Sequence, residues 1–210
     1  LTFTDVIAVG AAGMLIDAIV VAVTILGGIG IGKLLKMDSE TALLTSVGSG
    51  ICGAAAVLGA ESTIQTKPFK TAVAVATVVI FGTIAMFIYP VAYRAGILGL
   101  SPGEMGIFAG STLHEVAHAV GAGNAMGEEI ASTAIIVKMI RVMLLVPVLL
   151  ILAYWVALKR SKSENAGSGK AKIAIPWFAL GFLAVIGFNS FDLLPAVAVD
   201  TINYIDTFLL

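Results

Sequence analysis

Residues 110–124 read GSTLHEVAHAVGAGN, and this stretch decides how the rest of the chain is interpreted. It contains both histidines of the protein, His114 and His118, with Glu115 between them. His-Glu-x-x-His on a helix is a zinc-protease signature. Glycines flank the motif on both sides, however, and each glycine costs a helix roughly 1 kcal/mol relative to alanine. The same residues therefore also fit an interrupted helix in a transport path.

Composition decides the broad class of protein. The chain is 59% hydrophobic and only 12% charged, whereas soluble domains carry about 25% charged residues. Several apolar runs approach the ~20 residues that cross a bilayer. We therefore expect an all-α polytopic membrane protein with about six or seven membrane segments. The net charge of −1 says nothing about partners, because the charges are segregated by position, and no nucleic-acid partner is expected. The single cysteine, Cys52, excludes an internal disulfide.

A second glycine-rich stretch matches the first. Residues 48–60 (GSGICGAAAVLGA) align without gaps with residues 110–122 (GSTLHEVAHAVGA), and each precedes a span with a late proline, Pro90 or Pro147. Short, glycine-interrupted segments in two halves of a chain indicate a transporter's binding site. The alternative is that small residues simply allow helices to approach closely. We expect two discontinuous or re-entrant helices in repeated halves.

The distribution of positive charge bears on whether the two segments cross the membrane. If both cross, eight lysines and arginines collect on one face against Lys67 and Lys70; if both re-enter, nine collect against Arg94 alone. Neither count decides between the two topologies. In both cases the polar loop 161–172 is predicted to be cytoplasmic.

Two cations lie deep inside the apolar span 130–158. Lys138 and Arg141 are three residues apart and therefore share a helix face. The alternative is that these long side chains snorkel to the membrane surface. We expect them to form an anion site together with backbone N–H groups at unwound helix ends. Asp17, which lies within the first span, and Glu115 are expected to pair with them when no substrate is bound.

Two other interpretations remain open. Zinc proteolysis requires a third protein ligand besides His114 and His118, and Asp192 and Asp17 are the candidates. A structural or sensory membrane subunit would use the histidines only for hydrogen bonds within the helix bundle. The transporter interpretation requires no enzyme activity, no metal and no cofactor.

With these motifs in hand, the chain resembles the YeiH-type family of bacterial inner-membrane proteins, which carry the label of sulfate exporters. The resemblance extends along nearly the whole chain and rests on five blocks: GSGICGAAAVLGAES, KTAVAVATVVIFGTIAMFIYP, GSTLHEVAHAVGAGNA, KMIRVMLLVP and KIAIPWFALGFLAVIGFNSFDLLP. Family members are longer at both ends, so residues 1–210 are predicted to form a single transporter domain that is incomplete at both ends. The family can carry glutamine in place of His118, which argues against an obligatory zinc ligand there.

The resemblance implies a multi-pass secondary transporter of the inner membrane, related to the cation/proton-antiporter and anion-transporter superfamily, whose discontinuous helices cross near the membrane centre. We expect it to export a small, sulfate-like inorganic anion by alternating access. The expected partners are this anion, the lipid bilayer and a coupling proton or cation, with the proton on His114 or Glu115; a homo-oligomer is left open. The candidate path residues are Ser49, Cys52, Gly53, Ser111, His114, Glu115, Lys138 and Arg141, with Asp17 and Glu61 as secondary candidates.

Overall fold

The computed structural model describes residues 10–163 and, beyond them, only isolated helical positions at 181, 184, 185, 187, 188, 199, 201 and 202. The predicted span 173–191 and Asp192 therefore lie outside the continuously described part of the chain. Within that part the secondary structure is helical, which confirms the predicted all-α class. The helices are α1 (Gly10–Leu34), α2 (Ser39–Gly50), α3 (Ala54–Ile64), α4 (Pro68–Arg94), α5 (Pro102–Thr112), α6 (Val116–Met126), α7 (Glu128–Met143) and α8 (Leu145–Ser163).

Three helical segments are long and apolar enough to cross a membrane: Met14–Leu34, Pro68–Arg94 and Glu128–Leu158. The shortest has 21 residues, about 32 Å of helix against a hydrocarbon core of about 30 Å. The third segment consists of α7 and α8, and it is interrupted at Leu144. Pro147 explains the interruption, because proline cannot donate a hydrogen bond to the carbonyl four residues earlier. Large apolar side chains such as Leu26 (71% exposed) and Phe87 (66% exposed) point outward, as expected for a lipid-facing surface.

The first glycine-rich segment forms a helical hairpin that enters and leaves on the same face. Its two helices, α2 and α3, have 12 and 11 residues, or about 17 Å each, which is half of the hydrocarbon core. At the base of this hairpin, Lys70 at the start of α4 forms ion pairs of 2.8 Å with both Asp38 and Glu40 at the start of α2. The beginning and the end of the segment are therefore at one membrane face. We call this unit hairpin 1.

The second glycine-rich segment forms an equivalent unit, hairpin 2, from α5 and α6. Arg94 at the end of α4 donates a hydrogen bond of 2.5 Å to the carbonyl of Ala125, near the end of α6. A short loop leads from Arg94 to the start of α5, so both ends of hairpin 2 lie at that end of α4. Because α4 spans the membrane between the two units, the hairpins enter from opposite faces. The two segments therefore re-enter rather than cross the membrane, a choice that the sequence had left open.

The helix boundaries follow the predicted repeat. Hairpin 1 breaks between Gly50 and Ala54, and hairpin 2 breaks between Thr112 and Val116. Both boundaries are 62 positions apart, the same offset as in the sequence alignment. The two prolines do not follow this offset: Pro90 lies within an unbroken helix near its end, whereas Pro147 lies in the first turn of α8.

Glycine serves two purposes in the hairpins. Gly53 has φ +71° at the break itself, a conformation that L side chains rarely adopt. Other glycines permit close packing, since a Cβ on Gly110 would lie 2.5 Å from the carbonyl oxygen of Ala134, and one on Gly123 would lie 2.6 Å from the Cα of Ala131. Both explanations considered for the glycine-rich segments therefore apply, each at different positions.

The hairpins also determine how positive charge is distributed. In the described residues, only Arg94 lies at the face where α4 ends; the opposite face has Lys33, Lys36, Lys67, Lys70, Lys159, Arg160 and Lys162. The positive-inside rule predicts that this second face is cytoplasmic. The cytoplasmic placement of loop 161–172 stays a prediction.

Candidate functional site

The tips of the two hairpins touch in the interior of the membrane domain. A Cβ placed on Gly53 would lie 3.0 Å from Oε1 of Glu115, so the Glu115 carboxyl group covers the tip of hairpin 1. The same oxygen accepts a long hydrogen bond of 3.4 Å from the backbone N–H of Ala54, the first residue of α3. A helix N-terminus carries partial positive charge and unpaired N–H groups. A carboxylate from one hairpin therefore stabilises a helix end in the other.

Lys138 on α7 connects the two tips. Its ammonium group is fully buried and donates hydrogen bonds to the carbonyl oxygens of Ile51 (2.9 Å) and Leu113. These two residues directly follow α2 and α5 and occupy equivalent positions in the repeat. Carbonyl groups at helix C-termini lack intrahelical partners and carry partial negative charge. Lys138 thus donates a hydrogen bond to the equivalent carbonyl oxygen in each hairpin.

Arg141 lies one turn further along α7, and its hydrogen bonds to the described residues go to hairpin 1. Its Nε donates to the carbonyl of Gly50 at 2.6 Å, and its Nη2 donates to the carbonyl of Ser49 at 3.3 Å. The side chain is 1% exposed, and Nη1 has no hydrogen-bond partner in the part of the chain that the structure describes. The guanidinium group therefore keeps one free donor in a buried position.

The structure places Lys138 and Arg141 beside the breaks, as the sequence predicted, but in different surroundings. Both cations face carbonyl oxygens, whereas the N–H end of α3 faces Glu115. The expected grouping of these cations with free N–H groups is therefore not what the described residues show. The pairing expected for Glu115 with these cations is also absent there, because the ionisable side chain within 4 Å of its carboxylate is His118, at 3.7 Å.

The histidines do not share a helix face. His114 lies in the break, and α6 begins two residues later at Val116, so the i, i+4 geometry expected for a zinc motif is wrong. His118 Nε2 lies 3.3 Å from Thr83 Oγ1, and the Nδ1 atoms of both histidines are buried without a partner. Across the described residues, no cluster of three or more His, Cys, Asp or Glu side chains is placed to hold a metal ion.

The remaining predicted residues divide into those that reach the tips and those that do not. Cys52 is buried at the tip of hairpin 1, at the repeat position that His114 occupies in hairpin 2. Asp17 is fully buried, and neither of its carboxyl oxygens has a hydrogen-bond partner. The hydroxyl of Ser111 donates to Phe108 within its own helix, at 3.2 Å. Glu61 lies seven residues into α3, about 10 Å along the helix from the tip.

Sequence reasoning missed the contribution of α4. A Cβ on Gly82 would lie 2.5 Å from the His118 ring and 3.2 Å from the Cβ of His114, so this glycine makes room for both histidines. Two turns further on, Tyr89 donates a hydrogen bond of 3.0 Å to Thr112, the last residue of α5. A lone glycine within an otherwise clean apolar span was the available signal for this contact.

The arrangement concentrates charge where the membrane is least polar. Lys138, Arg141 and Asp17 are each no more than 1% exposed, and Glu115 and His118 lie beside them at the tips. Ionisable groups at such depth are costly and mark substrate or ion pathways. In this conformation the three most buried groups have almost no contact with bulk solvent.

Comparison with known proteins places this architecture in a family. The family model described as Conserved hypothetical protein 698 matches residues 1–210. The chain belongs to this family. The relatives of this chain are named as membrane proteins. A UPF0324 membrane protein of Bacteroides thetaiotaomicron is 67% identical over 210 residues, which cover 100% of this chain and 62% of the relative.

Two further relatives agree. A UPF0324 membrane protein of Pseudomonas putida is 48% identical over 203 residues, covering 96% of this chain and 57% of the relative. A UPF0324 membrane protein of Bordetella bronchiseptica is 48% identical over 212 residues, covering 100% of this chain and 65% of the relative. The chain spans about three fifths of the length of these curated relatives. No solved structure matches it. The predicted family resemblance and the multi-pass bacterial membrane location are confirmed.

Proposed function

We propose that this protein is a secondary transporter that exports a small, sulfate-like inorganic anion by alternating access. The observation that carries the proposal is the meeting of two oppositely oriented re-entrant hairpins around the buried cations Lys138 and Arg141. Membership of a family of membrane proteins is consistent with this function. The substrate, the direction of flux and the coupling ion are parts of the proposal.

The two hairpins supply the means of alternating access. They enter from opposite faces and have the same internal boundaries, as in transporters built from inverted repeats. A small rearrangement at their shared tips would exchange the roles of the two halves and expose the cations to the other face. A transporter needs two such states of similar free energy, between which substrate binding shifts the populations.

The charges at the tips favour an anion. Lys138 and Arg141 bring two positive charges to one helix face, and neither has a carboxylate within 4 Å among the described residues. The carbonyl oxygens that they contact carry only partial charges, so positive charge remains uncompensated in a medium of low dielectric constant. Arg141 also keeps a free N–H donor at Nη1. A planar guanidinium group is well suited to bind an oxyanion.

The coupling proton has three titratable candidates at the tips. Glu115 and His118 are near each other at 3.7 Å, and His114 has an unpartnered ring nitrogen. A change of charge on any of them would alter the field that the anion experiences. On this proposal Ser49, Cys52, Gly53 and Ser111 line the path through their backbone or small side chains, and Glu61 has no direct part.

Flux measurements on the full-length protein test the proposal. Reconstituted in proteoliposomes, it should move labelled sulfate, and Arg141→Gln should reduce the rate at least about tenfold, since a fixed charge and a donor are lost together. The matched control is Lys33→Gln, which removes an exposed cation at the end of α1 and should leave most of the flux intact. Sulfite, thiosulfate and small carboxylates, screened by thermal shift, would define the substrate class. Equal flux in the wild type and in folded Arg141→Gln would contradict the proposal.

A further inference from the structure

Asp17 is a buried acid for which the transport path described so far has no use. It is 0% exposed although its neighbours Leu15 and Ile19 on α1 are 62% and 58% exposed. Neither carboxyl oxygen has a hydrogen-bond partner, and no cation lies within 4 Å in the described part of the chain. The fold therefore directs the Asp17 carboxyl group towards the protein interior.

Contacts of the same helix face locate Asp17 beside Arg141. Val21 and Ile25 follow Asp17 at intervals of one turn, and a Cβ on Gly50 would lie 3.6 Å from the Val21 carbonyl oxygen and 2.9 Å from Ile25 Cγ1. The carbonyl of Gly50 is the acceptor for Arg141 Nε, at 2.6 Å. Asp17 therefore lies about one helical turn before the contact of α1 with the tip of hairpin 1, and the charge of Arg141 acts on its carboxyl group.

The charges around Asp17 are few. Helix α1 packs against α2, α5 and α7. Among the described residues, the charges that act on Asp17 come from α7, namely Arg141 and then Lys138. The charged residues of α2 and α5 are Glu40 and Glu104, each in the first turn of its helix and thus at a membrane face. The nearest cation, Arg141, has its own unpartnered atom, Nη1.

The Asp17 carboxyl group and the Arg141 guanidinium group are thus both buried, and they face the same region without a hydrogen bond between them. An ionised carboxylate that accepts no hydrogen bond is highly unfavourable in a medium of low dielectric constant, whereas the neutral acid is tolerated. With Asp17 neutral, the charge on Arg141 is not compensated and its free donor can bind an anion. Loss of the proton would produce a carboxylate that competes with the anion for the same guanidinium group.

We propose that Asp17 carries the coupling proton and that this proton and the anion on Arg141 bind together. Proton and anion then cross as one cargo, and the sum of their gradients sets the direction of flux. An outward anion gradient would export both. The proposal rests on the proposed function and assigns its coupling step to Asp17 instead of His114 or Glu115. The Glu115 carboxyl group already accepts a hydrogen bond from the Ala54 N–H and lies beside His118.

Calorimetric titration of the purified full-length protein with sulfate, in two buffers of different ionisation enthalpy, counts protons taken up on binding. We expect the wild type to take up about one proton per sulfate near the pH at which its affinity changes. Asp17→Asn preserves the size and the neutral state of the side chain. It should bind sulfate with an affinity independent of pH and take up no proton. Glu115→Gln, His114→Gln and the distant control Glu61→Gln should retain proton uptake.

The outcomes separate the two proposals. If neither sulfate, sulfite nor thiosulfate binds to the wild type, the proposed function fails, and this inference fails with it. If an anion binds without proton uptake, only the inference is overturned. Uptake that persists in Asp17→Asn, or that disappears in Glu115→Gln or His114→Gln, also overturns it. Should Asp17→Asn not fold, infrared difference spectra of the wild type decide: sulfate should increase the protonated carboxyl band, and an unchanged band contradicts the inference.

Discussion

The carboxyl group of Glu115 lies over the backbone of Gly53, so that the tip of one hairpin rests on the tip of the other. The two residues occupy the same position in the 62-residue repeat, one carrying a carboxylate and the other no side chain. The asymmetry has a physical reason, because two side chains could not occupy this contact. The tips therefore fit together only if one of the equivalent positions is glycine.

Gly53→Ala should destabilise the protein. The substitution forces alanine into φ +71°, ψ −132° and places its Cβ in contact with Glu115. A backbone conformation so sparsely populated costs about 1–3 kcal/mol by itself. Thermal unfolding in detergent measures the loss. Gly30→Ala is the matched control, because a Cβ there meets nothing within 4 Å and φ is ordinary. Equal unfolding midpoints for the two variants would show that the tips are not packed as described.

Lys138→Met should cause a larger loss. It leaves the carbonyl oxygens of Ile51 and Leu113 buried without a donor, and each such group costs about 1–3 kcal/mol. We expect a total loss of about 2–5 kcal/mol in the free energy of unfolding. Lys33→Met, near the end of α1 at the membrane face, is the control with the same change of side chain. A loss no greater than in the control would mean that Lys138 does not join the hairpins.

The re-entrant topology is open to labelling. In a Cys52→Ala background, Lys36→Cys and Lys67→Cys flank hairpin 1 and should react with a membrane-impermeant thiol reagent from the same face. Ile97→Cys and Glu128→Cys flank hairpin 2 and should react from the opposite face. Vesicles of both orientations provide the comparison. If Lys36→Cys and Lys67→Cys were labelled from opposite faces, hairpin 1 would instead cross the membrane.

Lowering the pH should destabilise the base of hairpin 1, where Asp38 pairs with Lys70. Hydrogen bonds from Lys70 and Thr41 lower the pKa of Asp38 from its usual value to about 2. A depressed native pKa contributes stability that is complete above the unfolded value of about 4 and is lost as the pH falls through about 2. The difference in unfolding midpoint between the wild type and Asp38→Asn should therefore shrink between pH 5 and pH 2.5. A constant difference would mean that the Asp38 charge does not stabilise the hairpin.

His118→Gln discriminates transport from zinc chemistry. His118 contacts Thr83 and Glu115 rather than a set of metal ligands, and glutamine can donate and accept hydrogen bonds at a similar reach. We expect the variant to retain most of the sulfate flux and to have the same metal content as the wild type. Bound zinc near one ion per chain, lost on this substitution, would favour the protease interpretation instead.

Much of the fold was predictable because the bilayer restricts what a chain can do. Backbone groups in lipid must be satisfied within a helix, so apolar length alone located α1, α4 and the α7–α8 span. Clustered glycines marked both breaks, and the alignment of residues 48–60 with 110–122 matched the helix boundaries of the two hairpins. The depth of Lys138 and Arg141 within an apolar span was enough to predict their burial.

Other features depended on contacts between residues far apart in the chain. Whether a broken helix crosses or returns was decided by Lys70 with Asp38 and by Arg94 with Ala125, because glycine permits a turn in any direction and does not choose one. The partners of Lys138 are backbone carbonyl oxygens, which every residue type possesses and which a sequence therefore cannot distinguish. By itself the sequence determined a membrane-embedded helical repeat with buried cations. Only the tertiary structure decided that the repeat units re-enter, that Glu115 rests on Gly53, and that Asp17 is buried without a hydrogen-bond partner among the described residues. Each of these relations depends on the packing of several helices.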